Sequence, residues 1–323
     1  MKATAPAAEV VPAGTFDTDP LDSARGRRSD SATAVQSPTR SADFLALTKP
    51  RLNLLVLMTT LGGLYLAAPS EVPLLLLAHT LIGTALVAGG ASALNQVWER
   101  DTDGLMRRTQ RRPLPGGRLR IGEGTWFGIA LSAIGLVELA LKVNVISAVV
   151  AAATLVSYVL VYTPLKTRTS LATIVGAVPG ALPPVIGWAA ATGEITLPSL
   201  VLFGIVFFWQ MPHFLAIAWL YRDDYGRAGI PLLPVLEPDG RRTGQQALLY
   251  AAVLWPVSLM PIVVGLGAAL YASIATVLGF AFIALAASFA RERSVTTARR
   301  LFIFSITYLP LLWAALVVAR LWM

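Results

Sequence analysis

Nine runs of predominantly apolar residues follow one another along the chain, at 47–68, 72–98, 124–142, 144–163, 171–191, 196–221, 244–267, 269–289 and 298–320. Crossing a hydrocarbon core takes about 20 residues of helix. Inside that core only helices and closed barrels satisfy every backbone N–H and C=O. The runs are continuous rather than alternating, so the pattern predicts an all-α, polytopic membrane protein with nine transmembrane helices. Composition agrees: 55% of the residues are hydrophobic, only 14% are charged, and mean hydropathy is +0.66. A soluble domain carries about 25% charged residues.

The charges set the expected orientation. With the N-terminus placed in the cytoplasm, all of the 26 Lys and Arg residues except Lys142 and Arg320 fall in cytoplasmic segments. That is the positive-inside bias of a multi-pass protein. It also accounts for the net charge of +8 without a nucleic-acid partner. Residues 1–43, rich in Ala, Pro, Ser, Thr and Asp, lack the apolar stretch of a signal peptide and read as a disordered cytoplasmic tail. Residues 44–323 form the transmembrane domain. Glu9, Asp17, Asp19, Asp22 and Asp30 argue against a mitochondrial transit peptide, so the bacterial inner membrane is the expected location ahead of the mitochondrial one. Cysteine is absent, which excludes disulfides, thiolate nucleophiles and cysteine metal sites.

The acids collect at one membrane face. Asn95, Glu99 and Asp103 stand at i, i+4 and i+8, along one face of a helix, while Asp101 points elsewhere. An amide and two carboxylates form a hard oxygen surface of the type that holds Mg²⁺ together with a substrate's phosphates. The same three residues also fit an ordinary polar helix end. Beyond them runs the cationic segment Arg107-Arg108-Thr109-Gln110-Arg111-Arg112, suited to carboxylate or phosphate or to anionic lipid head groups. Lys166 and Arg168, in the short loop that begins at Tyr162, are further phosphate-ligand candidates. Trp209, Gln210 and His213 lie within an apolar run that ends at Asp223 and Asp224. A continuous helix would set His213 and Asp224 on one face, about 16 Å apart. His79 reads as structural, and Glu138 with Lys142 as a local i, i+4 ion pair. Gly176, Pro179, Gly180, Pro183, Pro184 and Gly187 predict an irregular fifth span.

Together these segments resemble the intramembrane (UbiA-type) prenyltransferase superfamily. Its Asn-x-x-x-Asp-x-x-x-Asp motif matches Asn95, Glu99 and Asp103, with Glu for the first Asp. The usual second motif, Asp-x-x-x-Asp, is missing from the sixth span. In its place stand Trp209-Gln210-x-Pro212-His213-Phe214 and Asp224-Tyr225-x-x-Ala228-Gly229-Ile230-Pro231, which with Arg108-Thr109-x-x-Arg112-Pro113-Leu114 are similar to the protoheme IX farnesyltransferases. The resemblance implies nine helices around a central cavity. It also implies Mg²⁺-dependent transfer of a farnesyl group from farnesyl diphosphate to a vinyl group of heme b, giving heme O for terminal oxidases. Heme b would then be substrate, not prosthetic group.

On that reading Mg²⁺ would be held by Asn95, Glu99 and Asp103, with Asp223 or Asp224 through a second ion. Lys166 and Arg168 would clamp the diphosphate, Arg108 and Arg112 would pair with the heme propionates, and His213 would ligate iron or position the porphyrin. Tyr162, Trp209 and Gln210 are further substrate-binding candidates. The expected partners are farnesyl diphosphate, heme b and the lipid bilayer, with heme A synthase or oxidase-assembly proteins as candidates. The competing readings are a prenyltransferase acting on an aromatic or quinone-precursor acceptor, and a membrane transporter. A transporter would spread its charges through the membrane depth, whereas these cluster at one face.

Overall fold

The structure is a computed structural model that describes residues 38–68 and 71–321. The tail expected over residues 1–43 lies, for residues 1–37, outside the described residues. All regular structure described is helical. The chain runs through α1 (Arg40–Leu47), α2 (Pro50–Ala67), α3 (Leu74–Trp98), α4 (Arg100–Leu105), α5 (Ile121–Lys142) and α6 (Val145–Val156). It continues through a π-helical turn, Ser157–Tyr162, into α7 (Thr163–Leu165), then α8 (Ala172–Ala181), α9 (Pro183–Thr192), α10 (Leu197–Leu220) and α11 (Arg222–Arg227). The last elements are α12 (Leu233–Leu236), α13 (Arg241–Val263), α14 (Ala269–Glu292) and α15 (Val295–Leu321).

Among the described residues eight helices are long and apolar enough to cross a membrane. A ninth span is completed by α1 and α2 together, bent by 45°. The bend has a local cause. Lys49 adopts left-handed φ 48°, ψ 60° at the head of α2, and Pro50 follows with no N–H to continue the hydrogen-bond ladder. Helix α1 starts at Arg40 and buries Asp43 against Arg118 (2.9 Å), so residues 40–43 are part of the folded unit. The fifth span is broken at Leu182 between α8 and α9, again before a proline, as its Gly/Pro content predicts.

Many apolar side chains at the periphery are exposed, Leu74 and Leu141 by more than three-quarters, which suits lipid contact. Inside, helices meet through small residues, because lipid supplies no hydrophobic drive for association. A Cβ on Gly63 would stand 2.1 Å from the Pro184 carbonyl oxygen, and one on Gly187 only 1.9 Å from that of Thr60. Only glycine at both positions lets α2 and α9 come this close. The second half packs larger groups: Tyr271 donates to the Ser258 carbonyl (2.6 Å), and the Ser258 and Tyr308 hydroxyls share a hydrogen bond (2.8 Å) beside buried Phe282.

Two expectations are corrected. Glu138 does not pair with Lys142: its carboxylate lies 2.6 Å from His79 Nδ1. The pair forms because α3 and α5 pack side by side, so Glu138 reaches across to the neighbouring helix rather than along its own to Lys142. Nor is the helix continuous from His213 to Asp224. Helix α10 ends at Leu220, Tyr221 leaves helical geometry at φ −114°, ψ 20°, and α11 begins afresh.

Candidate active site

The spans alternate in direction, so the start of α2, the end of α3, the end of α7 and the end of α10 fall at one end of the bundle, where the acids gather. The row Asn95, Glu99, Asp103 survives the end of α3. Glu99 caps that helix, and its N–H donates to the Asn95 carbonyl (2.9 Å) while the Asp103 N–H donates to the Glu99 carbonyl (2.7 Å). Helical spacing therefore carries across the junction into α4 and keeps the three side chains on one face. All three are buried, whereas Asp101 points out and pairs with Arg100.

Each member of the row meets a cation or a hydroxyl from another element. Lys166, just past α7, places Nζ 2.9 and 3.0 Å from the two Glu99 carboxylate oxygens. Arg112 donates to Asp103 Oδ2 at 2.6 Å. Asn95 donates to Thr163 Oγ1 (3.1 Å) and accepts from Lys49 Nζ (2.8 Å). Burial pushes the Glu99 carboxyl up, but the charges of Lys166 and Lys49 and hydrogen bonds from Lys166 and Asn95 outweigh it and hold it below the usual carboxylate range. Lys166 shows the mirror effect: burial works against its charge, and the facing Tyr162 and Glu99 more than offset it, so its affinity for the proton is raised. The pair is thus ionised at neutral pH.

One atom is left over. Asp103 Oδ1 is buried with no hydrogen-bond partner, a costly state for a carboxylate oxygen. Together with the Glu99 carboxylate and the Asn95 amide oxygen it completes a hard-donor row, so the donor set fits Mg²⁺ in its oxygen preference. Among the described residues, no three His, Cys, Asp or Glu side chains converge as a metal site by themselves. An ion here would therefore take ligands from a diphosphate as well.

The remaining candidates lie around or apart from this centre. Tyr162 stacks on Tyr158 with ring centroids 5.5 Å apart. Arg108 sits between Tyr221 and Tyr225, and Arg168 is exposed. Asp223 is exposed with Arg222 at 4.0 Å, while Asp224 is ion-paired with Arg227, so neither joins the acidic row in a contact. His213 faces α15. Its Nδ1 lies 2.7 Å from Ser305 Oγ, and its ring stacks on Trp209 and leans on Phe302. Trp209 donates to the Ser305 carbonyl (2.7 Å), and Gln210 donates to the carbonyls of Ala177 and Val206 (3.3 and 3.1 Å). No hydrogen bond joins these three to the acids. Lys49 and Thr163 belong to the centre although sequence reasoning passed over them. Lys49 counted only as one more inside charge, and the one available signal was its place directly before Pro50 at a membrane boundary.

The sequence profile of the UbiA prenyltransferase family matches residues 56–315. The chain belongs to the UbiA prenyltransferase family. It is therefore a multi-pass membrane protein and a prenyltransferase. It is 48% identical over 287 residues to a protein of Solibacter usitatus named protoheme IX farnesyltransferase, covering 86% of this chain and 98% of that one. It is 45% identical to the protein of that name from Myxococcus xanthus, over 90% and 98% of the two chains. Solved UbiA-fold structures share the architecture at low identity. A digeranylgeranylglyceryl phosphate synthase superimposes with TM-score 0.75 at 16% identity over 88% of this chain and 99% of that one. A UbiA homolog from Archaeoglobus fulgidus bound to GPP and Mg²⁺ gives 0.59 at 15% identity, over 85% and 99%.

Proposed function

We propose that the protein transfers the farnesyl group of farnesyl diphosphate to a vinyl group of heme b, giving heme O. The observation that carries the reading is the buried row Asn95, Glu99, Asp103, faced by Lys166, Arg112 and Lys49. The relatives named protoheme IX farnesyltransferase supply the acceptor. The Archaeoglobus fulgidus homolog, a protein of the same fold, was solved with GPP and Mg²⁺. The orientation with the N-terminus in the cytoplasm, and the bacterial inner membrane as location, belong to this proposal and rest on the distribution of basic residues.

Asn95, Glu99 and Asp103 would hold Mg²⁺, which when bound neutralises the diphosphate and makes it a better leaving group. Lys166 stays on Glu99 through two of its N–H donors and offers the third to the phosphate oxygens, and Lys49 reaches the same space from the start of α2. The bond between C1 of the farnesyl group and oxygen breaks, and its electron pair leaves with the diphosphate. The vinyl π pair of heme b then bonds to C1. The cation left beside the porphyrin ring is captured by one water, which loses a proton and becomes the hydroxyl. The scheme requires that other water be kept from the allylic cation. In this scheme His213, its ring backed by buried Trp209, orients the porphyrin.

Purified protein given heme b, farnesyl diphosphate and Mg²⁺ is expected to form heme O, detected by mass spectrometry, and to form none after chelation of the metal. Product with an aromatic or quinone-precursor acceptor, and none with heme b, would move the protein to another acceptor class. His213→Ala is expected to lose most heme turnover while farnesyl diphosphate still binds, as calorimetry would show. Full turnover in that variant would remove His213 from the site.

A further inference from the structure

The geometry points to Arg108, clasped between Tyr221 and Tyr225, as the anchor for a carboxylate of the prenyl acceptor, with Arg112 excluded from that task. The inference rests on the porphyrin acceptor proposed above. Four basic side chains at this end are held by acids of their own chain: Arg112 by Asp103, Lys166 by Glu99, Arg118 by Asp43 and Arg227 by Asp224. Among the described residues Arg107, Arg111 and Arg168 are, like Arg108, exposed and in no ion pair, and of these four only Arg108 lies over aromatic rings. Arg108 has none within 4.0 Å among the described residues. Its guanidinium carbon lies 5.0 Å from the Tyr221 ring centroid and 5.8 Å from that of Tyr225. A single hydrogen bond, from Nη2 to the Tyr225 hydroxyl at 3.2 Å, uses one of its five N–H donors.

The Tyr225 side of the clasp is fixed in place, while Tyr221 and Arg108 are open to a ligand. Tyr225 is buried among Met106, Ala218 and Ile230. Its N–H donates to the Tyr221 carbonyl (3.1 Å), and its own carbonyl accepts from Ile230 (3.0 Å). Thr109, next to Arg108, donates to the Asp103 carbonyl at 2.8 Å, which keeps the clasp beside the acidic row. A planar fork held by aromatic rings beside the acidic row is therefore preset for bidentate pairing with a carboxylate. Transferring Arg108 to a ligand breaks no ion pair, whereas Arg112 would have to abandon a buried carboxylate. The diphosphate already has the oxygen row, Lys166 and Lys49 to meet it. The propionates of the acceptor are the anions that remain to be met.

The test compares heme b with its propionate dimethyl ester in the full-length protein, wild type and Arg108→Gln. For heme b the variant is expected to raise KM by about tenfold or more and to leave KM for farnesyl diphosphate unchanged. On the ester the two proteins should be alike. Titration of heme b into each protein without farnesyl diphosphate, followed by absorbance, should show the same loss of affinity. A raised KM for farnesyl diphosphate would assign Arg108 to the diphosphate and overturn the inference, as would a variant penalty equally large on the ester. If Arg108→Gln does not fold, the wild type alone decides: equal affinity for heme b and the ester overturns the anchor, and a weaker ester upholds it. A wild type that makes no heme product overturns the function itself and this inference with it; a wild type that turns over beside an unimpaired variant overturns the inference alone.

Discussion

Asp103→Asn is expected to lower heme O formation by on the order of 10²–10³-fold and to raise the Mg²⁺ concentration needed for half-maximal rate. Asparagine keeps the size of the side chain and an oxygen to accept from Arg112. What it removes is the negative charge and with it the unpartnered oxygen Oδ1. Failure to fold is therefore not the expected cause of the loss, and an unchanged thermal unfolding profile in detergent would exclude it. Asp101→Asn, two residues away on an exposed side chain paired with Arg100, is the control and should leave both quantities as they are. An Asp103→Asn protein with a normal rate and a normal Mg²⁺ requirement would remove the metal from this row.

Gly187→Val should prevent the bundle from assembling normally, at a cost of about 3 kcal/mol or more. The new Cβ would lie 1.9 Å from the Thr60 carbonyl oxygen and 2.7 Å from the Leu64 nitrogen. Both are backbone atoms, which cannot swing aside as a side chain does. The opposing contact of Gly63 with Pro184 holds the same helix pair, so relief at one place would strain the other. The measurement is the fraction of detergent-extracted protein that stays monodisperse on size exclusion. Gly122→Ala, where a Cβ meets nothing within 4 Å in the first turn of α5, should be neutral or slightly stabilising. Normal yield and stability of Gly187→Val would mean that α2 and α9 do not pack this closely.

The number of spans was legible because length and hydropathy are nearly sufficient for a helix that must satisfy its own backbone in lipid. The acidic row was legible for a related reason. Spacing of four residues fixes a shared face without knowledge of any other helix, and the hydrogen bonds across Glu99 preserve it. Contacts between spans were another matter. Nothing local indicates that Glu138 would choose His79 over Lys142, or that Lys49 would reach Asn95 some 46 residues away. These depend on which helices are neighbours, and neighbours are decided by packing. The division of labour between Arg108 and Arg112 was hidden for the same reason: two arginines in one segment look alike until one is seen against Asp103 and the other against tyrosine rings. The break at Tyr221 lay in an apolar run whose hydropathy carries no trace of where the backbone leaves helical geometry.

The π-helical turn at Ser157–Tyr162 has a consequence for how this site is phased. A wide turn takes in one residue more than an α-helical turn does, and each residue advances an α-helix by about 100°. Everything C-terminal to it is rotated about the span's axis by that amount relative to an unbroken helix. Thr163, whose hydroxyl caps the turn by donating to the Tyr158 carbonyl at 2.8 Å, and Lys166 three residues on are thereby dialled round to face Asn95 and Glu99. The lipid-facing pattern of α6 upstream keeps its own phase. A single extra residue thus acts as a clutch between two halves of one helix, letting the membrane set the register of the first and the chemistry set the register of the second.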